Sequence, residues 1–378
     1  MINIGLLKLD LFLQGVQPIS GWAEDFSLVL PENTWVAVSQ NSSSPYKIEK
    51  QHNGYELVFE TGRIAVKPML PPKAYHKKTT SGHLVGQILH SHGGFIAAAP
   101  QGPCRFAKSG LACKYCNTKQ APVSHQYSVD DFIEALRLLL EESPAEILHL
   151  SSGFVQDADG GMASLEPLVR QVRKHFNILI SVDVMPPASN EWIDKTYAAG
   201  VDMLYYDLDV FSPELFAETY PEKDQSIRQQ RYLQALEYAV KIFPKGAVTS
   251  HLVLGLEPVE STLKGIDVLT DLGVVPLVTF FPPQHGSDLE KKWKPHLKEI
   301  VPVYAYLYEK ITEKKLSTNW VRQIDVVLTP LEGRHFAGGK SRWQVAVKNF
   351  YHTAVGRKAA VGLSAIRRKL RVKEVKGD

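Results

Sequence analysis

Cys104, Cys113 and Cys116 are the only three cysteines in this 378-residue chain, and they fall in one loop spaced C-x8-C-x2-C. Thiolates clustered in this way suit a soft metal or an iron–sulfur cluster. A [4Fe–4S] cluster normally takes four cysteinates, so three would leave one iron open to an outside ligand. Gly102, Pro103 and Gly110 supply the turn chemistry that a loop wrapping a cluster needs. Other readings of the same residues stand beside this one. Free cysteines are often simply buried. A structural zinc would need a fourth ligand, such as His90, His92 or His125. A disulfide sits badly with an odd count and no mark of secretion.

More polar groups stand at the ends of apolar runs. Ser151-Ser152-Gly153 follows Glu146–Leu150, and Asp183 follows Ile178–Val182. Asp207 and Asp209 follow Val201–Tyr206, and Arg231 sits in a helical stretch beyond them. Small residues let a backbone approach a ligand closely. A carboxylate can accept both hydroxyls of a diol, and a guanidinium grips a carboxylate in bidentate fashion. Each group also has a plain alternative as a strand end, a solvated turn or a surface arginine.

The elements that must position these groups read in two rhythms. Residues 1–90 are β-rich: Trp35–Ser39, Tyr55–Phe59 and Arg63–Lys67 alternate apolar and polar side chains, with Asn53-Gly54 and Thr61-Gly62 as turns. Pro68, Pro71 and Pro72 are expected to end strand pairing there. From Phe95 a strand–helix alternation begins. Strands are expected at Phe95–Ala99, Glu146–Leu150, Ile178–Val182, Val201–Tyr206, Val248–Leu254 and Val275–Phe281. Helices are expected from Ser128 with Asp131 as its capping partner, at 163–176, 190–199, 225–242 and 261–272. Continuous apolar strands alternating with helices imply a parallel sheet buried on both faces. It would be either a barrel or a doubly wound sheet. No glycine-rich phosphate loop follows the first strand, which disfavours the latter. In barrels, chemistry sits at the C-terminal strand ends.

At the cysteine loop the chain resembles the radical S-adenosylmethionine (SAM) superfamily. That family holds a site-differentiated [4Fe–4S] cluster through three cysteines, most often spaced C-x3-C-x2-C, and the last usually follows an aromatic residue, as Cys116 follows Tyr115. The C-x2-C half matches and the x8 half departs. The strand ends, over roughly residues 90–290, are most similar to the biotin-synthase-like branch. The resemblance implies an α/β fold: a partial (β/α)6 TIM-like barrel at 91–290. Before it would come the β-rich region at 1–90, and after it a C-terminal helical extension at 291–378. It implies SAM contacts from Tyr115, Ser151, Ser152, Gly153, Asp183 and Arg231, a ribose contact from Asp207 and Asp209, and adenine packing by Leu252 or Leu254. Glu257 and Pro258 occupy positions where those relatives carry Gly and Glu. Phe280-Phe281-Pro282-Pro283 resembles the corner after the sixth strand, and His251, Gln284 and His285 would line the substrate end.

The activity so implied is reductive cleavage of SAM to a 5′-deoxyadenosyl radical that takes hydrogen from a small-molecule substrate. A donor such as ferredoxin or flavodoxin would supply the electron. Rearrangement, fragmentation, carbon–carbon bond formation or oxidation are the expected outcomes. Sulfur insertion is not, because no cysteines remain for a second cluster. Two other classes stay open: a non-catalytic iron–sulfur or zinc interaction protein, and a non-radical SAM-dependent transferase.

Composition sets the outer bounds. With 44% hydrophobic and 22% charged residues the chain reads as an ordinary globular protein. No signal peptide or membrane-length apolar run is legible, so a cytoplasmic enzyme is expected. The net charge of +3 is uneven: residues 334–378 carry 12 Lys or Arg against 2 Asp or Glu, which leaves −7 for the rest. The basic tail reads as a solvated helical extension, or as a surface for an acidic partner, nucleic acid or a membrane.

Overall fold

The computed structural model describes residues 2–23, 25–60, 62–100, 113–114, 127–143, 145–155, 157–280, 296–321, 328–337, 362 and 366. The chain opens with α1 (Ile4–Gln14), which the sequence did not announce. Asn3 caps it, its Oδ1 accepting from Gly5 N and Leu6 N, and Gly15 at φ 65° ends it. The helix is covered nearly all round. Leu7 and Leu11 pack into the core of the N-terminal sheet, and Leu9 into the core of the barrel. A helix buried between two cores shows no polar stripe, so periodicity does not betray it.

The N-terminal sheet comprises β1 (Asp25–Leu30), β2 (Thr34–Ser39), β3 (Lys47–Gln51), β4 (Gly54–Phe59) and β5 (Gly62–Met69). They run antiparallel in the order β2-β1-β5-β4-β3. Pro68 does not end the pairing: Leu28 lies opposite it on β1. By that point β5 has left β4, whose last partner is Val66. A proline without N–H is tolerated where a strand has one neighbour.

After one turn of helix, α2 (Val85–Ile88), comes the second sheet. It contains β6 (His90–His92), β7 (Phe95–Ala98), β8 (Ile147–Ser151), β9 (Leu179–Asp183), β10 (Met203–Tyr205), β11 (Val248–Leu254) and β12 (Val275–Phe280). β6 is antiparallel to β7, and the other six strands are parallel in strict sequence order. A doubly wound sheet would reverse its order part-way. A sheet that advances one way, with helices in the crossovers, is the partial barrel that the alternation implied.

The helices are α3 (Val129–Glu142), α4 (Met162–His175), α5 (Glu191–Ala199), α6 (Pro213–Thr219), α7 (Pro221–Ser226), α8 (Gln229–Ile242), α9 (Val259–Leu272) and α10 (Leu297–Glu313). Ser128 and Asp131 form the expected reciprocal cap of α3. Gly200 and Gly273, at φ 111° and 90°, end α5 and α9. The single helix expected over 225–242 is two helices, because Arg228 at φ 66° interrupts the backbone between α7 and α8.

A 3-10 segment (Pro330–His335) packs with α10 and α1 at the β12 edge. There the Phe12 and Phe280 rings meet edge-on at 5.4 Å, the Tyr304 hydroxyl donates to the Val278 carbonyl, and Lys8 Nζ lies 3.2 Å from Glu332 Oε1. Among the described residues no helix is long and apolar enough to cross a membrane. Most of the basic tail lies outside the described residues.

Candidate functional site

The polar groups converge where β8 to β11 end. The register Ser151↔Asp183, Asp183↔Tyr205 and Tyr205↔Thr249 sets these side chains on one face of the sheet. The opposite face meets the helices: a Cβ on Gly265 of α9 would lie 3.1 Å from Leu252 Cδ1. Leu252 and Leu254 therefore turn their side chains to the helix layer and away from the lumen. Both are fully buried in the core. An adenine in the lumen would meet the backbone of β11 at these positions.

Ser151 Oγ donates to Asp183 Oδ2 at 3.0 Å and accepts from Gly153 N at 3.3 Å. Ser152 N donates to the Asp183 carbonyl at 3.0 Å. Gly153 sits at φ 61°, which a glycine adopts without a side-chain clash. Asp207 faces His251 twice, accepting from its backbone N at 3.0 Å and pairing with its Nδ1 at 2.9 Å. Asp209 prolongs the ladder on β11, its N donating to His251 O at 2.8 Å and its O accepting from Val253 N at 2.7 Å. Its Oδ2 lies 3.1 Å from Nζ of Lys223, which comes up from α7, and both side chains are buried.

Lys223 was not legible in the sequence, where Pro221-Glu-Lys-Asp reads as a solvated turn. Its Nζ also lies 4.7 Å from the centre of the Tyr220 ring. Glu257, which departs from the biotin-synthase pattern, is a staple. It accepts from Phe211 N, Ser212 N and Ser261 Oγ at 3.0, 2.8 and 2.8 Å, fixing the turn that carries Asp209. Arg231 ties α8 to the segment after β9, donating to Pro187 O at 2.7 Å and Asn190 Oδ1 at 2.9 Å.

The charges at this mouth are out of balance. Asp183, Asp207 and Asp209 face two bases, Lys223 and His251. Burial, and then the nearby Asp207 carboxylate, push Asp183 up to about 7. Burial and Asp207 also raise Asp209, against the pull of Lys223. Burial disfavours a charged His251, but Asp207 against its ring lifts it to about 9. Burial likewise opposes ionisation of Asp207, yet His251 holds it below the usual carboxylate range. Asp207 and His251 are thus an ion pair at neutral pH, and the excess of acid falls on Asp183.

Deeper in the lumen the rings of His92, Phe95, His149, Tyr205 and His251 follow one another with centroids 5.3, 6.5, 5.1 and 5.9 Å apart. His149 is pushed down to about 4 by burial and its Nδ1 meets Ser181 Oγ at 2.9 Å. A cavity of about 810 Å³ opens between the N-terminal sheet and the β6–β7 turn, lined in part by Trp35, Lys67, Tyr75, His92 and Glu146. None of the strand-end acids lines it, so volume and chemistry part here. Converging charges at strand C-termini mark the reactive end of a barrel.

Of the cysteine loop, Cys113 and Lys114 are described. Lys114 N donates to Thr219 O at 3.2 Å and its Nζ lies 3.2 Å from Glu218, which fastens this stretch to the end of α6. The neighbouring Cys113 is half-buried and packs against the barrel core. Cys104, Tyr115, Cys116, Gln284 and His285 lie outside the described residues. Among the described residues no group of His, Cys, Asp and Glu is arranged to hold a metal, and His90 and His92 gather no further ligands.

Residues 105–279 match the model of the radical SAM superfamily, a span that contains the strand ends and two of the three cysteines. This part of the chain is a domain of the radical SAM superfamily. Its enzymes use a [4Fe–4S] cluster and SAM, and a mouth with surplus carboxylate fits a ligand that carries a sulfonium and an ammonium. Over 236 residues the chain is 30% identical to bacteriochlorophyllide c C-7(1)-hydroxylase of Chlorobaculum limnaeum, covering 56% of this chain and 59% of that enzyme. The chain thus spans less than two thirds of that relative. Among solved structures it is similar to methylornithine synthase (16% identical, TM-score 0.47, covering 60% of this chain and 64% of that one). It is also similar to SuiB of Streptococcus suis bound to S-adenosylmethionine (13% identical, TM-score 0.47, covering 60% and 49%).

Proposed function

We propose that this radical SAM enzyme binds one [4Fe–4S] cluster through Cys104, Cys113 and Cys116. SAM would sit over the strand ends, and a hydrogen atom would be abstracted from a small-molecule substrate. The observation that carries the reading is the convergence of Ser151, Asp183, Asp207, Asp209, Lys223 and His251 at the C-terminal ends of parallel strands, with Cys113 next to Lys114, which is fastened to the end of α6. When bound, the cluster and SAM supply a 5′-deoxyadenosyl radical.

The chain's own residues bind and orient. The Ser151–Gly153 turn and Asp183 offer acceptors to an ammonium. Asp207 and Asp209 offer carboxylates to a ribose diol, held in place by His251 and Lys223. Glu257 fixes the turn that follows Asp209, and the ring-packed lumen keeps water from below. The boundaries near residues 90 and 290 belong to the same proposal, as does a ferredoxin or flavodoxin donor. The hydroxylase relative supports oxidation among the outcomes open to a substrate radical.

The test is anaerobic. The protein is reconstituted with iron and sulfide, given SAM and dithionite, and assayed for 5′-deoxyadenosine beside Cys116→Ala. Product from the wild type and none from the variant is the expected result. A wild-type protein that takes up no iron–sulfur cluster would overturn the reading. Methylthioadenosine or S-adenosylhomocysteine in place of 5′-deoxyadenosine would point to a transferase.

A further inference from the structure

Arg334 lies in the 3-10 segment, beyond the part of the chain that matches the superfamily. It is 2% exposed. Its Nε donates to His335 Nε2 at 3.3 Å, while Nη1 and Nη2 are buried with no hydrogen-bond partner among the described residues. The acid nearest in sequence is already engaged. Glu332 Oε1 meets Lys8 at 3.2 Å, and Oε2 accepts from Thr329 N at 2.6 Å and Thr329 Oγ1 at 2.8 Å. None of these contacts reaches Nη1 or Nη2 of Arg334.

A buried guanidinium whose terminal nitrogens are unmatched is costly, and a bound anion is one way of satisfying it. The two terminal nitrogens form the fork that grips a carboxylate or a phosphate with two parallel hydrogen bonds. The segment is held rigidly enough to present that fork. Gly333 is pressed so close to α10 that a Cβ there would lie 2.2 Å from the Tyr304 carbonyl oxygen. Asn3 of the α1 cap donates to the His335 carbonyl at 3.0 Å. The segment also touches β12, the last strand of the partial barrel.

We infer that Arg334 is a receptor for an oxyanion, a carboxylate or phosphate group carried by the substrate, at the β12 edge of the barrel. The oxyanion site rests on the geometry above, and its assignment to the substrate rests on the radical-enzyme reading.

The test uses the full chain without its cluster, so that it does not depend on turnover. Thermal unfolding is followed in a buffer free of oxyanions, with propionate or inorganic phosphate added at ionic strength matched by chloride. The wild type should show a saturable rise in Tm with one of these anions, and which one does so separates a carboxylate from a phosphate ligand. Arg334→Met should show no such rise and should melt, without anion, at or above the wild type, since a buried guanidinium with unmatched terminal nitrogens has been removed. Arg334→Lys, which keeps the charge and loses the fork, should bind the effective anion at least ten-fold more weakly. A wild type indifferent to both anions would overturn the proposal. So would an Arg334→Met variant that melts well below the wild type, because the guanidinium would then be serving an acid of the chain itself. Cluster loading and 5′-deoxyadenosine formation, measured separately on Arg334→Met, show whether the radical reading survives either result.

Discussion

At the scale of single residues, the Asp207–His251 pair governs how the mouth responds to pH. His251 is lifted to about 9, above the ordinary value of about 6.5. Its stabilising contribution is complete below the ordinary value and is lost as pH rises through about 9. Asp207 is depressed, so its contribution is complete above the ordinary carboxylate value of about 4 and is lost as pH falls through its lower folded value. The pair therefore acts in full between those two ordinary values and fades on either side of them. Asp207→Asn leaves His251 with its burial and the more distant Asp183 and Asp209. Its pKa should fall by at least about one unit. Titration of the His251 ring by NMR reads this directly, and a value still near 9 would mean that Asp207 is not the group that holds the proton there. Asp183 carries the opposite linkage. Raised to about 7, it stabilises the ligand-free fold in acid and loses that contribution as pH rises through about 7. Asp183→Asn should flatten this part of the stability profile, as denaturant unfolding at pH 5 and pH 8 would show.

Among the elements, α3 shows a local rule surviving intact into the fold. Ser128 caps the helix, and Asp131 returns the bond and also accepts from Thr79 at 2.7 Å, tying the helix to the connector before the barrel. The Ser128 and Thr79 hydroxyls hold Asp131 well below the usual carboxylate range. Asp131→Ala should cost about 1–2 kcal/mol of stability. Because the folded carboxylate is depressed, the loss should be the same at pH 7 and pH 5 and close only in strong acid, which urea unfolding at the three pH values checks. This cap was legible in the sequence because both partners lie within one turn. So were the six parallel strands, since burial on both faces leaves continuous apolar runs. What escaped the sequence depends on contacts distant along the chain. α1 is sandwiched between two cores and lacks a stripe. β5 runs through Pro68 because β4 has already left it. The break at Arg228 divides a helical stretch that periodicity alone would join. The same division explains the site: Asp207, Asp209 and the serine–glycine turn announced themselves at strand ends, whereas Lys223 is bound to Asp209 across 14 positions and reads locally as a turn.

At the scale of the whole molecule, the half-barrel has two edges, and the β12 edge is closed by parts from both ends of the chain. α1 and the 3-10 segment meet there through Lys8 and Glu332, whose side chains are 0% and 1% exposed. A buried pair adds little net stability over an apolar substitute, but removing one member strands the other. Lys8→Met should therefore cost about 3–5 kcal/mol by leaving the Glu332 carboxylate uncompensated. The double variant Lys8→Met/Glu332→Gln should recover most of that loss, because glutamine can still accept from Thr329 and neither charge of the pair remains. Urea unfolding of the full chain followed by tryptophan fluorescence measures all three differences. If the double variant were as unstable as Lys8→Met alone, the cost would lie in the packing of the lysine stem between α1 and the barrel core, and closure of this edge would be a matter of shape. If it recovers, the edge is closed electrostatically, and the N-terminal helix and the C-terminal segment are coupled across it.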